Sequence, residues 1–287
     1  MFDREQWGEV FESIGKNKLR AVLTGFAVFW GIFMLVVLLG LGGGLRNGFA
    51  YNFKNTATNS ISIWGGETSK PWNGLPANRN IQLDEGDIEA LRTAIPGLEH
   101  ISGSYRVWRG NSQLQHNMNY GSYNIHGVVS EQQQLEKQTV MKGRFINEVD
   151  EEQVRKVIVI ADDARKELFK EEEPIDQWVN VNGVPFQVVG LYEREGGGHG
   201  MMNRSPVYIP LSAAQRVFNA QRDVDEIMFS FSDASVPGSR IAKDRAVHTI
   251  ARRHNFDPTD ERALWLENNV ENVSTFNNVF FGITLFI

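Results

Sequence analysis

The sequence predicts an α+β protein in which N-terminal amphipathic and transmembrane helices precede a two-lobed extracytoplasmic domain. Three features lead there. An uncharged run extends from Ala21 to Leu45. Strand-like alternation and helix-like periodicity take turns between residues 60 and 262. An Asn-Gly pair at 182 and 183 separates two alternating runs inside a β-rich block.

The apolar run sets the frame for the rest. As a helix rising about 1.5 Å per residue it would measure roughly 37 Å, enough to cross a hydrocarbon core of about 30 Å with some tilt. A secretory signal has an apolar core of only about 7 to 15 residues. A buried core helix of this length would normally turn some polar residue to one face. Residues 21–45 are therefore read as a membrane span, with Phe29, Trp30, Phe33 and Leu38 inside the bilayer and Gly42, Gly43 and Gly44 as a flexible joint at its end.

Residues 1–20 place Trp7, Val10, Phe11 and Ile14 at i, i+3, i+4, i+7 spacing, the pattern of an amphipathic helix. Lying on a membrane surface, it would set Trp7 and Phe11 at the headgroup boundary and reach the span through Lys16, Lys18 and Arg20. Only Arg46 and Lys54 follow the span closely, so the positive-inside bias keeps the N-terminus cytoplasmic and puts residues 46–275 outside. "STFNNVFFGITLFI" becomes apolar at Phe276, and residues 276–287 are expected to begin a second span that is cut short.

Between these segments the elements follow from local signals. "NSISIWGG" alternates from Ser60 to Trp64 as a strand. "LDEGDIEALRTAIPGL" reads as a helix capped at Asp84, with Ile88, Leu91 and Ile95 on one face and Pro96 and Gly97 halting it. Strands are expected near 99–109 and 121–129. Val157 to Ile160 is a buried-type strand running into a helix capped by Asp162 or Asp163. In "QWVNVNGVPFQVVGLYE", Asn182 and Gly183 suit a two-residue type I′ turn, whose central positions both need positive φ. "SPVYIPLSAAQRVF" adds a strand ended by Pro210 and a helix with a Ser212 and Gln215 capping box. A strand at "EIMFSFS" and a helix over 237–253 return the chain to the first lobe.

Composition narrows the function classes. A net charge of −6, with no basic stripe, argues against nucleic acid as a partner, and zero cysteines exclude disulfides and thiolate metal sites. No GxxxxGK[ST] occurs, and "GGGHGMMNR" at 196–204 lacks the helix start of a phosphate loop, so it reads as a loop tip. There is no HExxH or GxSxG motif. His248 and His254 fall six apart, about 120° around a helix, which is poor for sharing a metal. Asp162, Asp163 and Glu171 to Glu173 lie among basic residues as a solvated face. No catalytic, cofactor or metal residue is expected.

The entry "SIGKNKLRAVLTGFAVFWGIFMLVVLLGLGGGL", the block "MKGRFINEVDEEQVRKVIVIADDARKELF", the hairpin "PIDQWVNVNGVPFQVVGLYE" and "SPVYIPLSAAQRVF", in this order, resemble the MacB/FtsX-like family of ABC-transporter permeases. The resemblance implies four membrane helices with an outer domain between the first two. That domain would combine a Porter-like α/β lobe, here 60–144 and 222–262, with a small β-rich Sabre-like lobe at 145–221.

The same resemblance implies a non-catalytic permease subunit of the inner membrane, its main domain in the periplasm. Its expected partners are a separate ABC ATPase subunit that holds the ATP and Mg, a second permease in a homodimer or pair, the lipid bilayer, and a periplasmic adaptor with an outer-membrane channel. Export or other envelope transport is the expected role. An FtsX-like or sensor-type signalling permease that moves no cargo, and an anchored binding domain with two spans, are the alternatives.

Overall fold

The computed structural model describes residues 18–52, 56–107, 112–193 and 205–286. Trp7, Phe11 and Lys16, with the rest of the expected amphipathic helix up to residue 17, and the loop tip at 196–204 lie outside the described residues. The chain divides into two compact units, one of residues 1–50 and 276–287, the other of residues 51–275.

In the first unit, helix α1 (Lys18–Asn52) runs for 35 residues without interruption. Two expectations change here. Lys18 and Arg20 belong to the same helix as the span instead of a separate preceding one, and α1 continues beyond Leu45 through Gly42, Gly43 and Gly44. Good helix formers on both sides carry three glycines that alone would cost about 1 kcal/mol each relative to alanine. The segment Lys18–Gly40 is long and apolar enough to cross a membrane, and none of it is buried within the protein. Phe29, Trp30, Phe33 and Leu38 are all exposed. The three aromatic rings pack along the helix, with Phe29 and Phe33 6.1 Å apart and Trp30 and Phe33 5.7 Å apart.

The second unit is organised by one mixed sheet. Strand β1 (Ser60–Gly65) lies between β14 (Leu264–Asn268) and β13 (Glu226–Phe231), antiparallel to both. β3 (Leu98–Arg106) follows β13, then β6 (Ile125–Val128), β11 (Val207–Pro210), β8 (Val157–Ala161), β10 (Val184–Glu193), β9 (Trp178–Val181), β4 (Gln113–His116) and β5 (Asn119–Ser122). β7 (Thr139–Gly143) pairs separately with β10. A short ribbon joins β2 (Leu83–Asp84) to β12 (Asp223–Val224).

Two apolar cores form on this sheet. In the first, Ile61, Ile63, Ile101, Ile227 and Phe229 are covered by α2 (Glu85–Ala94) and α7 (Val236–His254), through Ile88, Leu91, Ala242, Ala246 and Ile250. α2 starts as expected, with Asp84 and Asp87 forming a reciprocal capping box, and it ends before Pro96. Ser235 caps α7, its side chain accepting from the Gly238 N–H at 3.1 Å. In the second core, Leu114, Ile158, Ile160, Val179, Phe186 and Val188 lie with Ala164 and Leu168 of α5 (Asp162–Leu168) and Ala213 and Ala214 of α6 (Leu211–Phe218). On alternate residues of β8, β10 and β11, a third cluster gathers Val159, Tyr192 and Tyr208 with Phe145 and Ile146.

The apolar core does not divide at residue 145. Val107, Leu114, Tyr123 and Ile125 pack in the second core, because the β4–β5 hairpin joins β9 through the Leu114–Val181 pair. Two helix caps also differ from expectation. α5 follows Ala161 with no side-chain cap, and Asp162 instead pairs with Arg165 at 2.8 Å and Lys166 at 2.6 Å. α6 has no capping box, since the Ser212 hydroxyl donates to the Glu151 carbonyl at 2.8 Å and the Gln215 amide to the Asp223 carbonyl at 3.2 Å.

The expected turn at Asn182 and Gly183 is present, with φ of 47° and 87°. It sets Val184 opposite Val181. Gly143 also has positive φ, and a Cβ there would meet the Val189 carbonyl oxygen at 2.2 Å, so only glycine lets β7 approach β10 this closely.

Candidate functional site at the helix-to-sheet junction

Within the second unit, the chain enters and leaves the sheet at one edge. β1 is the first strand after α1, and β14 runs directly into α8 (Asn269–Phe286). These two strands are hydrogen-bonded neighbours, with Ile61 opposite Asn268 and Ile63 opposite Leu266.

Buried amides and hydroxyls fasten the junction. The Asn269 amide donates to the Ser60 hydroxyl at 2.9 Å, and that hydroxyl donates to the Ala57 carbonyl at 2.5 Å. Asn268 donates to the Ser239 hydroxyl at 2.9 Å, while its own oxygen accepts from the Val270 and Glu271 N–H groups at 3.1 and 3.3 Å. Asn268 thus caps α8 at the point where strand becomes helix. All four side chains are buried. Outside them, Asn59 exchanges bonds with the end of β13, its amide donating to the Phe231 carbonyl at 2.8 Å and its carbonyl accepting from the Phe231 N–H at 3.2 Å. Arg240 pairs with Glu271 at 2.7 Å. A strand-to-helix turn held by this many satisfied buried bonds resists bending, since each broken bond would strand a desolvated group.

A second fastening holds α2 against α7. The Asp87 carboxylate is fully buried and receives Arg253 Nε at 2.5 Å and His254 Nε2 at 2.8 Å, and Arg253 also reaches Asp84 at 2.9 Å. Burial pushes the Asp87 carboxyl upward, but hydrogen bonds from His254, the Asp84 backbone and Arg253 outweigh it and hold the group below its ordinary value.

The short helix α3 (Gln132–Leu135) follows β6, and where α2, α4 (Glu148–Glu152) and α6 approach one another lies a cleft of about 430 Å³ rich in carboxylates. Glu131 bonds Arg92 at 2.8 Å and Glu85 bonds Arg222 at 3.0 Å. Glu151 accepts from the Ser130 N–H at 2.8 Å. Burial drives its carboxyl up to about 7 despite that bond, and the charges of Glu131, Glu148 and Asp150 add to the rise. Glu226, on the polar side of β13, is also pushed up to about 7 by burial; the Ser62 bond opposes this, Glu136 reinforces it, and Arg106 and Trp64 oppose it.

Among the described residues no group of three or more His, Cys, Asp or Glu side chains could hold a metal ion. His248 bonds the Asp244 carbonyl at 2.8 Å and His254 is engaged with Asp87. Of the acidic groups expected on a solvated face, Asp163 is bonded to the Ser205 N–H at 2.9 Å and Glu173 to Lys142 at 2.6 Å.

Of the expected site residues, Lys18, Arg20, Phe29, Trp30, Phe33, Leu38 and the three glycines all lie on α1. Sequence reasoning passed over Ser60, Ser239, Asn268 and Asn269. The Asn-Asn pair between "LWLE" and the following helical segment was the available signal, because asparagine at a strand end is a strong helix cap.

Comparison with known proteins fits this architecture. The model of the MacB-like periplasmic core domain matches residues 21–239. The macrolide export ATP-binding/permease protein MacB of Chlorobaculum tepidum is 23% identical over 96% of this chain and 41% of its own length. The pyoverdine export ATP-binding/permease protein PvdT of Pseudomonas putida is 27% identical over 90% of this chain and 39% of its own. The chain thus spans about two-fifths of the length of these curated relatives.

Among solved structures, the periplasmic region of MacB from Actinobacillus actinomycetemcomitans superimposes with a TM-score of 0.61 at 19% identity, covering 79% of this chain and 96% of that one. The extracellular domain of the ABC-type transporter YknZ from Gram-positive bacteria gives 0.60 at 18% identity, covering 73% and 100%. Both likenesses concern the fold. With the family match spanning most of its length, this chain belongs to the family of the MacB-like periplasmic core domain.

Proposed function

We propose that the chain is a permease part of a MacB-like ABC exporter, set in the inner membrane with its N-terminus cytoplasmic and its folded unit in the periplasm. ATP and Mg are bound and hydrolysed on a partner ATPase, and the permease acts as a pair with a second copy or a relative. It transmits motion to its outer unit and, through an adaptor and an outer-membrane channel, to a substrate already outside.

The observation that carries this reading is the pairing of β1 with β14. The two strands that connect the outer unit to the apolar helices enter as one hydrogen-bonded ribbon, so a displacement of either helix is delivered to the sheet as a whole. The sequence from Ala21 to Leu45 supports it further, for it holds no ionisable group of the kind that lines substrate paths through a bilayer. The export names of the relatives make efflux the favoured output over signalling.

The test uses the full-length permease with its ATPase in proteoliposomes. The pair Asn268→Ala and Asn269→Ala should leave ATPase assembly intact and reduce transport of the cognate substrate severalfold. Undiminished transport, with the outer unit still folded by circular dichroism, would rule out transmission through this junction.

A further inference from the structure

The sheet face opposite the second core is left bare beyond Phe145 and Ile146, and at the start of the bare area lies an open cleft of about 500 Å³. That volume is within the range of small-ligand sites. Its walls combine two chemistries. Trp178 on β9 stands with its side chain largely exposed, beside Pro185 and Val189 of β10. Arg144, Arg155 and Lys156 supply the opposite rim.

The charges of this rim do not cancel. Arg144 forks onto the buried Asp150, and Arg155 reaches the same carboxylate only at 3.8 Å while its Nε donates to Gln153 at 2.9 Å. One carboxylate thus serves two guanidinium groups. The Lys156 ammonium has no carboxylate partner among the described residues, and no acidic side chain lines the cleft. A net positive pocket in a chain of net charge −6 is a local inversion of the protein's own field.

An exposed indole and a proline ring beside unneutralised cations form an amphipathic receptor. A fully apolar ligand would leave the cations unused, and a bare ion would leave the indole unused. We propose that this cleft binds a small anionic amphiphile, which sets a phosphate or carboxylate group against Lys156 and Arg155 and lays a flat apolar body along Trp178, Pro185 and Val189. The assignment stands on the cleft alone and is independent of the export reading.

The probe is 1-naphthyl phosphate, followed by fluorescence anisotropy with the full chain in phosphatidylcholine nanodiscs. Saturable binding is expected that weakens with salt, falls about tenfold in Lys156→Glu and in Trp178→Ala, and survives in Lys156→Arg. Both sites are exposed, so neither variant threatens the fold. As competitors, 1-naphthol and inorganic phosphate should each bind at least about tenfold more weakly than the probe itself. Absence of saturable binding, indifference to both disruptive variants, or equal competition by 1-naphthol would overturn the proposal. Displacement of the probe when phosphatidylglycerol is added to the discs, lost in Trp178→Ala, would give the cleft to a lipid headgroup and overturn it as a site for a soluble ligand.

Discussion

The two ends of the sheet are built differently. At the β14–β1–β13–β3 end, one face is roofed by α2 and the 19-residue α7, the roof is pinned by the Asp87 cluster, and both connections to the rest of the chain leave from the outermost two strands. At the β10–β9–β4–β5 end, the strands close on themselves through hairpins, one face is bare, and the partner helices α5 and α6 have only seven and eight residues. Between them β11 and β8 share a single paired position, Tyr208 opposite Val159. The first end is braced by long helices and buried ion pairs, whereas the second presents open surface, and a thin seam lets the two differ.

Breaking the braced end should have the largest effect. Asp87→Ala removes the buried carboxylate that His254 and Arg253 share, leaving His254 unpaired and Arg253 with Asp84 alone, and should cost about 3 to 5 kcal/mol in denaturant unfolding followed by tryptophan fluorescence. Because the Asp87 carboxyl is held low, its contribution is present above the ordinary carboxylate range and is lost on acidification through the lowered value.

Phe186→Ala in the second core should cost a comparable 3 to 5 kcal/mol, about the usual loss for a buried aromatic. The comparison predicts where it is felt: hydrogen exchange should accelerate across β8, β9 and β10 while β1 and β13 stay protected. Uniform acceleration would mean that the seam transmits disruption and the ends form one cooperative unit.

A smaller change, Gly183→Ala, forces a side chain into the left-handed conformation of the distal hairpin and should lower stability by about 1 to 2 kcal/mol without touching the junction. The smallest effect sharpens the comparison through pH. Glu151 and Glu226 hold their protons up to about 7 in the folded chain, whereas an unfolded chain releases them from about 4.5 upward. Stability should therefore fall as pH rises through that window. Melting at pH 6 should occur above melting at pH 8, and Glu151→Gln with Glu226→Gln should flatten the difference.

Elements governed by neighbours in the chain were legible in the sequence. The Asn182-Gly183 turn, the Asp84 cap and the apolar run each depend on a few adjacent residues, and each reappears in the structure. What failed depended on residues far away. Ser212 has the spacing of a helix cap, yet its hydroxyl is taken by Glu151, 61 positions earlier. Nothing local places the β4–β5 hairpin beside β9, which puts Val107, Leu114, Tyr123 and Ile125 in the second core. The junction was missed for the same reason, since Ser60 and Asn269 are 209 residues apart.

The antiparallel match of Ile61 with Asn268 puts the chain's entry into the sheet and its exit from it within about 5.5 Å of each other. A fold whose entry and exit coincide behaves as a cassette. It can be lifted out at these two positions and the gap bridged by a short glycine linker, or a relative's equivalent inserted, without re-spacing the helices that flank it. Evolution can therefore exchange the sheet-based unit while leaving the flanking apolar helices untouched.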